Sequence, residues 1–211
     1  MVEYYAARAG EYEKLYEKPE RQADLRRMTA VVQDLFQGKT VLEIACGTGW
    51  WTQRIAQTAQ SILATDINEP MLDIARSKNY PRQNVIFRRD DMFNTAIAQT
   101  FDGLFAGYIW SHIFLDQLDE FLAQAARWVK PGGLMVFVDN RFVDDSNTPI
   151  CFTDAVGNTF QDRQLENGEV YRILKNFPEP AFVREKLERV AAPVEVVEFE
   201  YYWLAGAKRK G

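Results

Sequence analysis

Cysteine is scarce in this sequence: Cys46 and Cys151 are its only two, too few and too far apart for a disulfide framework or a zinc cluster. That scarcity fits a reducing compartment. Positive charge is in deficit as well. A formal net charge of -5 argues against a surface built to neutralise many phosphates, and so against nucleic acid as partner. The short run Lys208-Arg209-Lys210 reads as a solvated tail. No apolar run approaches the roughly 18 residues that a membrane span requires, and no charged segment leads into an apolar signal core. A soluble, cytoplasmic protein with no membrane partner is expected. Internal repeats and low-complexity stretches are missing too.

What is present is a chain of 211 residues, 47% of them hydrophobic, enough for one buried core and a single domain. Tyr4 to Lys18 holds polar and aromatic residues among good helix formers and reads as a short surface helix that Pro19 ends. Leu25, Met28, Val32, Leu35 and Phe36 follow three-and-four spacing, which predicts a second helix from Glu20 to Phe36, stopped by Gly38. An alternation then begins: a buried strand from Thr40 to Ala45, a helix from Trp50 to Ala59 and a strand from Ser61 to Asp66. Asn68 is placed to cap a helix through Glu69, Pro70, Met71, Leu72 and Ala75. Strands are expected at Val85 to Arg89, Phe101 to Trp110 and Leu134 to Asp139. The apolar stripe from Leu115 to Val129 stops at Lys130-Pro131-Gly132-Gly133. This rhythm predicts a doubly wound parallel sheet that binds ligands at its carboxyl edge. Asn140 to Asn167 breaks it, which suggests an irregular excursion or small hairpin over that edge. Val170 to Leu174 reads as a strand, Glu179 to Val190 as a helix, and Val194 to Ala207 as one long bent strand or two.

The most informative stretch is Val41-Leu42-Glu43-Ile44-Ala45-Cys46-Gly47-Thr48-Gly49, a strand that opens through two glycines toward a helix. Glycine lets backbone approach a ligand closely. A dinucleotide enzyme would add a third glycine for helix packing, but Trp50 and Trp51 follow Gly49 instead, so a nicotinamide cofactor is disfavoured. Asp66 ends the second strand at the distance a nucleoside ribose needs from the glycine turn, and can accept both ribose hydroxyls. At the end of the third strand Asp90-Asp91-Met92 offers a carboxylate for an exocyclic amine beside an apolar wall.

In this order the motifs resemble those of the class I S-adenosylmethionine-dependent methyltransferases, from about Thr40 to Asn140. Asp66 with Met71, the Asp91-Met92 pair, Phe101-Asp102 and Lys130-Pro131-Gly132-Gly133 all fall in family order. The resemblance implies an α/β fold: a doubly wound Rossmann-like sheet, mostly parallel with an antiparallel C-terminal strand, in three αβα layers. It also implies S-adenosylmethionine as cofactor and S-adenosylhomocysteine as product. Glu43 and the backbone of Ala45, Cys46, Gly47, Thr48 and Gly49 would surround the methionine portion. Asp66 would hold the ribose, Ile67 and Met92 would flank adenine, and Asp91 would take its amino group. The segment from Tyr4 to Tyr12 is similar to the capping helix of small-molecule members, so Tyr12 would cover the methionine moiety. Residues 1–38 are then capping helices, 40–140 the cofactor core, 141–175 a lid or hairpin over the acceptor site, and 176–211 a C-terminal helix and strands.

A sulfonium cation is stabilised by aromatic faces that offer no competing nucleophile. Tyr108, Trp51 and Tyr12 are the candidates. His112, the only histidine, follows Tyr108-Ile109-Trp110-Ser111 and serves either as general base or as a neutral structural group. Asp139-Asn140 looks like part of the metal site of catechol-type members, but the aspartate expected after the fourth strand is replaced by Tyr108, Ile109 and Trp110, so no metal is expected. Trp110, Asn140 and Arg141 are candidate acceptor contacts, and Arg163 and Arg172 could hold a carboxylate bidentately. The expected function is methyl transfer to oxygen or nitrogen of a small molecule by in-line positioning. The alternatives are methylation of protein or nucleic acid, or non-catalytic binding of the cofactor.

Overall fold

The computed structural model describes residues 1–80 and 82–211. Seven strands form one sheet: β1 (Thr40–Ile44), β2 (Ser61–Asp66), β3 (Val85–Arg89), β4 (Phe101–Gly107), β5 (Val129–Asn140), β9 (Ala191–Glu198) and β10 (Tyr202–Arg209). Their order is β3-β2-β1-β4-β5-β10-β9. β1 to β5 pair in parallel, and β10 runs antiparallel to both neighbours. Side chains alternate across the strands. Leu42, Ile44, Leu104, Met135 and Phe137 pack under α5 (Leu118–Arg127) and α6 (Pro180–Glu188). Val41, Phe105, Val136 and Val138 pack under α2 (Gln22–Leu35) and α3 (Trp50–Ile55). Burial on both faces explains why these strands read as continuous apolar runs. The fold is the expected three-layer, mostly parallel Rossmann-like sheet.

Chain order reverses between β1 and β4, the point where such sheets open a crevice at their carboxyl edge. A second sheet, β6 (Phe152–Thr153), β7 (Thr159–Gln164) and β8 (Val170–Leu174), is antiparallel and realises the hairpin expected after β5. The C-terminal stretch is two strands, not one bent strand.

Four local expectations need correction. The N-terminal segment is not one surface helix: α1 (Val2–Ala7) gives way to a 3-10 stretch, Ala9–Tyr16, in which Tyr16 is buried. Gly10 weakens the α-helix there, and ring packing decides the path. Tyr4 packs against Tyr171 of β8, and Tyr16 stacks on Trp50 at 4.3 Å. β4 ends at Gly107, and Trp110–His112 is a separate 3-10 turn. Lys130-Pro131-Gly132-Gly133 does not precede β5 but lies in it as an irregularity, where the β4 register steps from Phe101↔Val129 to Gly103↔Leu134. Asn68 stands at the N-cap of α4 (Glu69–Ser77), yet its side chain makes no capping bond.

Candidate active site

The loops after β1 and β4 carry backbone strain. Ala45 (φ 51°) and Tyr108 (φ 62°) both occupy the left-handed region, where a residue with a Cβ costs roughly 1–2 kcal/mol. Gly49 sits at φ 77°, and a Cβ there would lie 2.7 Å from Tyr80 Oη and 3.0 Å from Ala75 Cβ. Only glycine fits. Asp66 fastens this loop: its Oδ2 accepts from the Gly47 amide and its Oδ1 from the Asn68 amide, each at 2.8 Å.

A cavity of about 150 Å³ opens above the loop, lined by Tyr12, Ala45, Gly47, Asp66, Ile67, Met71, Asp91, Met92 and Tyr108 among the anticipated cofactor residues, and by His112. Tyr5, Asp90 and Phe93 also stand in its wall. The remaining anticipated residues sit outside the lining. Cys46, Thr48 and Trp51 are buried, and the Thr48 hydroxyl donates to Glu13 of the N-terminal segment at 2.6 Å. Trp51 packs on Phe105, tight against Gly107, and so belongs to the core more than to the cavity.

Glu43 lies beneath the loop with 1% of its surface exposed, and its Oε2 has no partner among the described residues. Burial pushes its carboxyl up to about 8. A folded-state value above the unfolded one means that the native protein holds the extra proton between about pH 4.5 and 8, so its stability falls as pH rises through that window. Glu43→Gln mimics the protonated acid. Its melting temperature is expected to match wild type near pH 5 and to exceed it at pH 8, as thermal melts across pH will show; parallel pH curves would mean that Glu43 is ionised throughout.

A second cavity, of about 480 Å³, adjoins the first and shares Tyr5, Tyr12, Tyr108 and His112 with it. His112 is 7% exposed. Its Nδ1 lies 2.6 Å from the Leu174 carbonyl oxygen and must donate there, so Nε2 accepts from the Tyr5 hydroxyl at 2.7 Å. Burial and the nearby Lys175 pull its pKa down to about 3. The ring is therefore neutral with both nitrogens engaged.

Of the anticipated acceptor contacts, Asn140 and Arg163 line this second cavity. Three others do not. Trp110 is in the core, edge-on to Phe137 and Trp203, because β4 stops three residues before it. Arg141 is held outward by Glu198 and the Phe199 carbonyl. Arg172 pairs with Asp162 on the exposed face of β8. Lys175, one of the late polar groups open to an acceptor, lines the cavity too, whereas sequence reasoning missed Arg8, Lys18 and Arg21; clustering of cations beside the aromatic N-terminal segment was the available signal. Among the described residues no group of three or more His, Cys, Asp or Glu side chains could hold a metal ion.

Residues 41–133 match a family described as a methyltransferase domain. A malonyl-[acyl-carrier protein] O-methyltransferase of Halalkalibacterium halodurans is 31% identical over 105 residues, covering 47% of this chain and 38% of that protein. A demethylmenaquinone methyltransferase of Tropheryma whipplei is 30% identical over 114 residues, covering 54% of this chain and 47% of that protein. The chain thus spans less than half the length of these curated relatives. A solved DhpI–SAH complex is similar over 99% of this chain and 95% of that one, with a TM-score of 0.79 and 28% identity. A DhpI–SAM–HEP complex gives 0.81 and 27%, over 98% and 94%. Domain match over residues 41–133, similarity across the glycine-loop core and near full-length structural similarity support a methyltransferase of the class I S-adenosylmethionine-dependent type.

Proposed function

We propose that this chain binds S-adenosylmethionine in the first cavity and transfers its methyl group to an oxygen or nitrogen of a small molecule in the second. The observation that carries this reading is the junction of the two cavities at Tyr5, Tyr12, Tyr108 and His112. A protein that merely sensed the cofactor would need no such second chamber.

The residues present suit the cofactor. Asp66 has lone pairs left for a ribose beyond the two backbone amides that it accepts. Ile67, Met71 and Met92 offer apolar surface for a purine, and Asp91 stands beside them for its amino group. Ala45 and Gly47 bring backbone to the methionine portion, with Glu43, Cys46, Thr48, Gly49 and Trp51 shaping the loop from behind. When bound, S-adenosylmethionine supplies a methyl group activated by a positively charged sulfur. Tyr12 and Tyr108 present rings at the junction, and the buried Tyr108 hydroxyl has no partner among the described residues. Asn140 and Arg163 contact the acceptor, and the N-terminal segment with β6 to β8 roofs the chamber that holds it. Alignment of acceptor and methyl group then supplies most of the rate.

His112 acts through Tyr5 in this scheme, because an imidazole held near pKa 3 takes up few protons at neutral pH. His112→Gln releases Tyr5 from its hydrogen bond, and turnover is expected to fall about tenfold, the equivalent of one such bond, with cofactor affinity unchanged. The wild-type pH profile of kcat should show no inflection between pH 6 and 7; an inflection there that vanishes in the variant would restore the general-base role.

The function itself is tested by calorimetric titration with S-adenosylmethionine, S-adenosylhomocysteine and NAD in parallel. Selective micromolar binding of the first two, about -8 kcal/mol, is expected. Binding of NAD alone, or of none, overturns the reading.

A further inference from the structure

We infer that the methyl acceptor is a small anion whose oxyanion head group is held by Arg8, Lys18, Arg21 and Arg163, an inference that rests on the methyltransferase reading above. The second cavity is lined by six cationic side chains, these four with Lys14 and Lys175, against one carboxylate, Asp145. Such a concentration stands out in a chain whose net charge is -5. Two of the six are neutralised in place: Lys14 by Glu166 and Lys175 by Asp139.

The other four have no carboxylate within 4.0 Å among the described residues; their partners are all neutral. Arg8 donates to the Tyr4 hydroxyl at 2.9 Å and lies over the Tyr12 ring. Lys18 donates to the Ser146 carbonyl at 2.7 Å. Arg21, 5% exposed, donates to Asn140 Oδ1 and to the Ser146 carbonyl and hydroxyl. Arg163 donates to Gln161 Oε1 at 2.6 Å.

These cations work against one another. Burial lowers the pKa of Lys18, and Arg21 and Arg163 lower it further against the pull of Glu20; burial likewise lowers that of Arg163, with Arg8 and Arg21 adding to the effect. Several partly desolvated positive charges with no carboxylate in direct contact are unfavourable, and an anion among them relieves both the desolvation and the repulsion. Guanidinium forks match the oxygens of a carboxylate or phosphate head group in pairs. The adjoining tyrosines and His112 then set the rest of the acceptor at the junction with the first cavity.

The test is calorimetric titration of the protein saturated with S-adenosylhomocysteine, using inorganic phosphate and acetate as separate probes at fixed ionic strength. We expect saturable binding of at least one of them, phosphate tighter for a dianionic head group and acetate tighter for a carboxylate. Arg163→Gln and Arg8→Gln should each weaken that probe at least tenfold while S-adenosylhomocysteine affinity stays within threefold. Arg189→Gln, on an exposed arginine paired with Asp119 and Glu185, should change nothing. Absence of binding by both probes, or equal affinities in all variants, overturns the inference even though S-adenosylhomocysteine binds. Phosphate is also titrated into the free protein, so the cluster is judged separately if the cofactor product fails to bind.

Discussion

Asp66→Asn is expected to weaken S-adenosylmethionine binding about 100-fold, equivalent to about 3 kcal/mol. Both carboxylate oxygens of Asp66 accept from backbone amides, Gly47 on one side and Asn68 on the other. Asparagine keeps the shape but converts one oxygen to an amide that donates, so whichever way it turns, one backbone N–H faces another donor. A buried amide left without an acceptor costs roughly 1–3 kcal/mol, and the lost charge-assisted bond to the ribose adds roughly 1.5–3. Gly47 lies at the hinge of the ligand loop, so both losses fall on the same site. Burial raises the pKa of Asp66 against the pull of the amides of Asn68, Gly47 and Ile67. Cofactor affinity should therefore also decline as the solution is acidified toward that raised value. Asp90→Asn provides the comparison: Asp90 lines the same cavity but is engaged with Arg88 and Thr95, and its replacement should cost less than fivefold. Calorimetry reads both. An Asp66→Asn affinity within threefold of wild type would remove Asp66 from the ribose.

The contrast between Asp66 and the cations of the second cavity shows where the sequence can be read. Asp66 follows an apolar strand and a glycine turn whose spacing is local, and the five parallel strands are legible because burial on both faces leaves unbroken apolar runs. The N-terminal segment is different. A lysine facing solvent and a lysine facing an interior cavity are the same letter, so Arg8, Lys18 and Arg21 read as the polar side of a surface helix. Their cavity is closed by Ser146, Thr148, Arg163 and Lys175, more than a hundred positions away in the chain. Partner choice misleads in the same way. Arg141 and Arg172 carry the right chemistry, but Glu198 and Asp162 occupy them outside the cavities. Trp110 was misplaced by three residues of strand: ending β4 at Gly107 turns its indole into the core between Phe137 and Trp203.

Lys175→Met is expected to produce the largest loss of stability of the substitutions considered, roughly 3–5 kcal/mol at neutral pH, or about 6–20 °C in melting temperature for a domain of this size. Lys175 Nζ lies 3.0 Å from Asp139 Oδ1 and 2.6 Å from Ser111 Oγ, and the two charged side chains are 5% and 0% exposed. Burial alone would raise the Asp139 pKa. Lys175 overcomes that, with the Ser111 and Asn140 amides, and holds it below its ordinary value. A depressed carboxylate contributes stability above its unfolded-state pKa and loses it as pH falls through the folded one. Methionine fills the space of the lysine stem but removes the main opposing charge, so burial then dominates and ionised Asp139 becomes a liability above about pH 4. The gap between wild type and variant should therefore narrow on acidification toward pH 4. Replacing both partners, Lys175→Met with Asp139→Asn, should recover at least half of the loss at pH 7, because no unpaired charge remains. A single variant as stable as wild type, or a double variant no better than the single, would mean that the pair is not what holds β5, the end of β8 and the Ser111 turn together beside the second cavity.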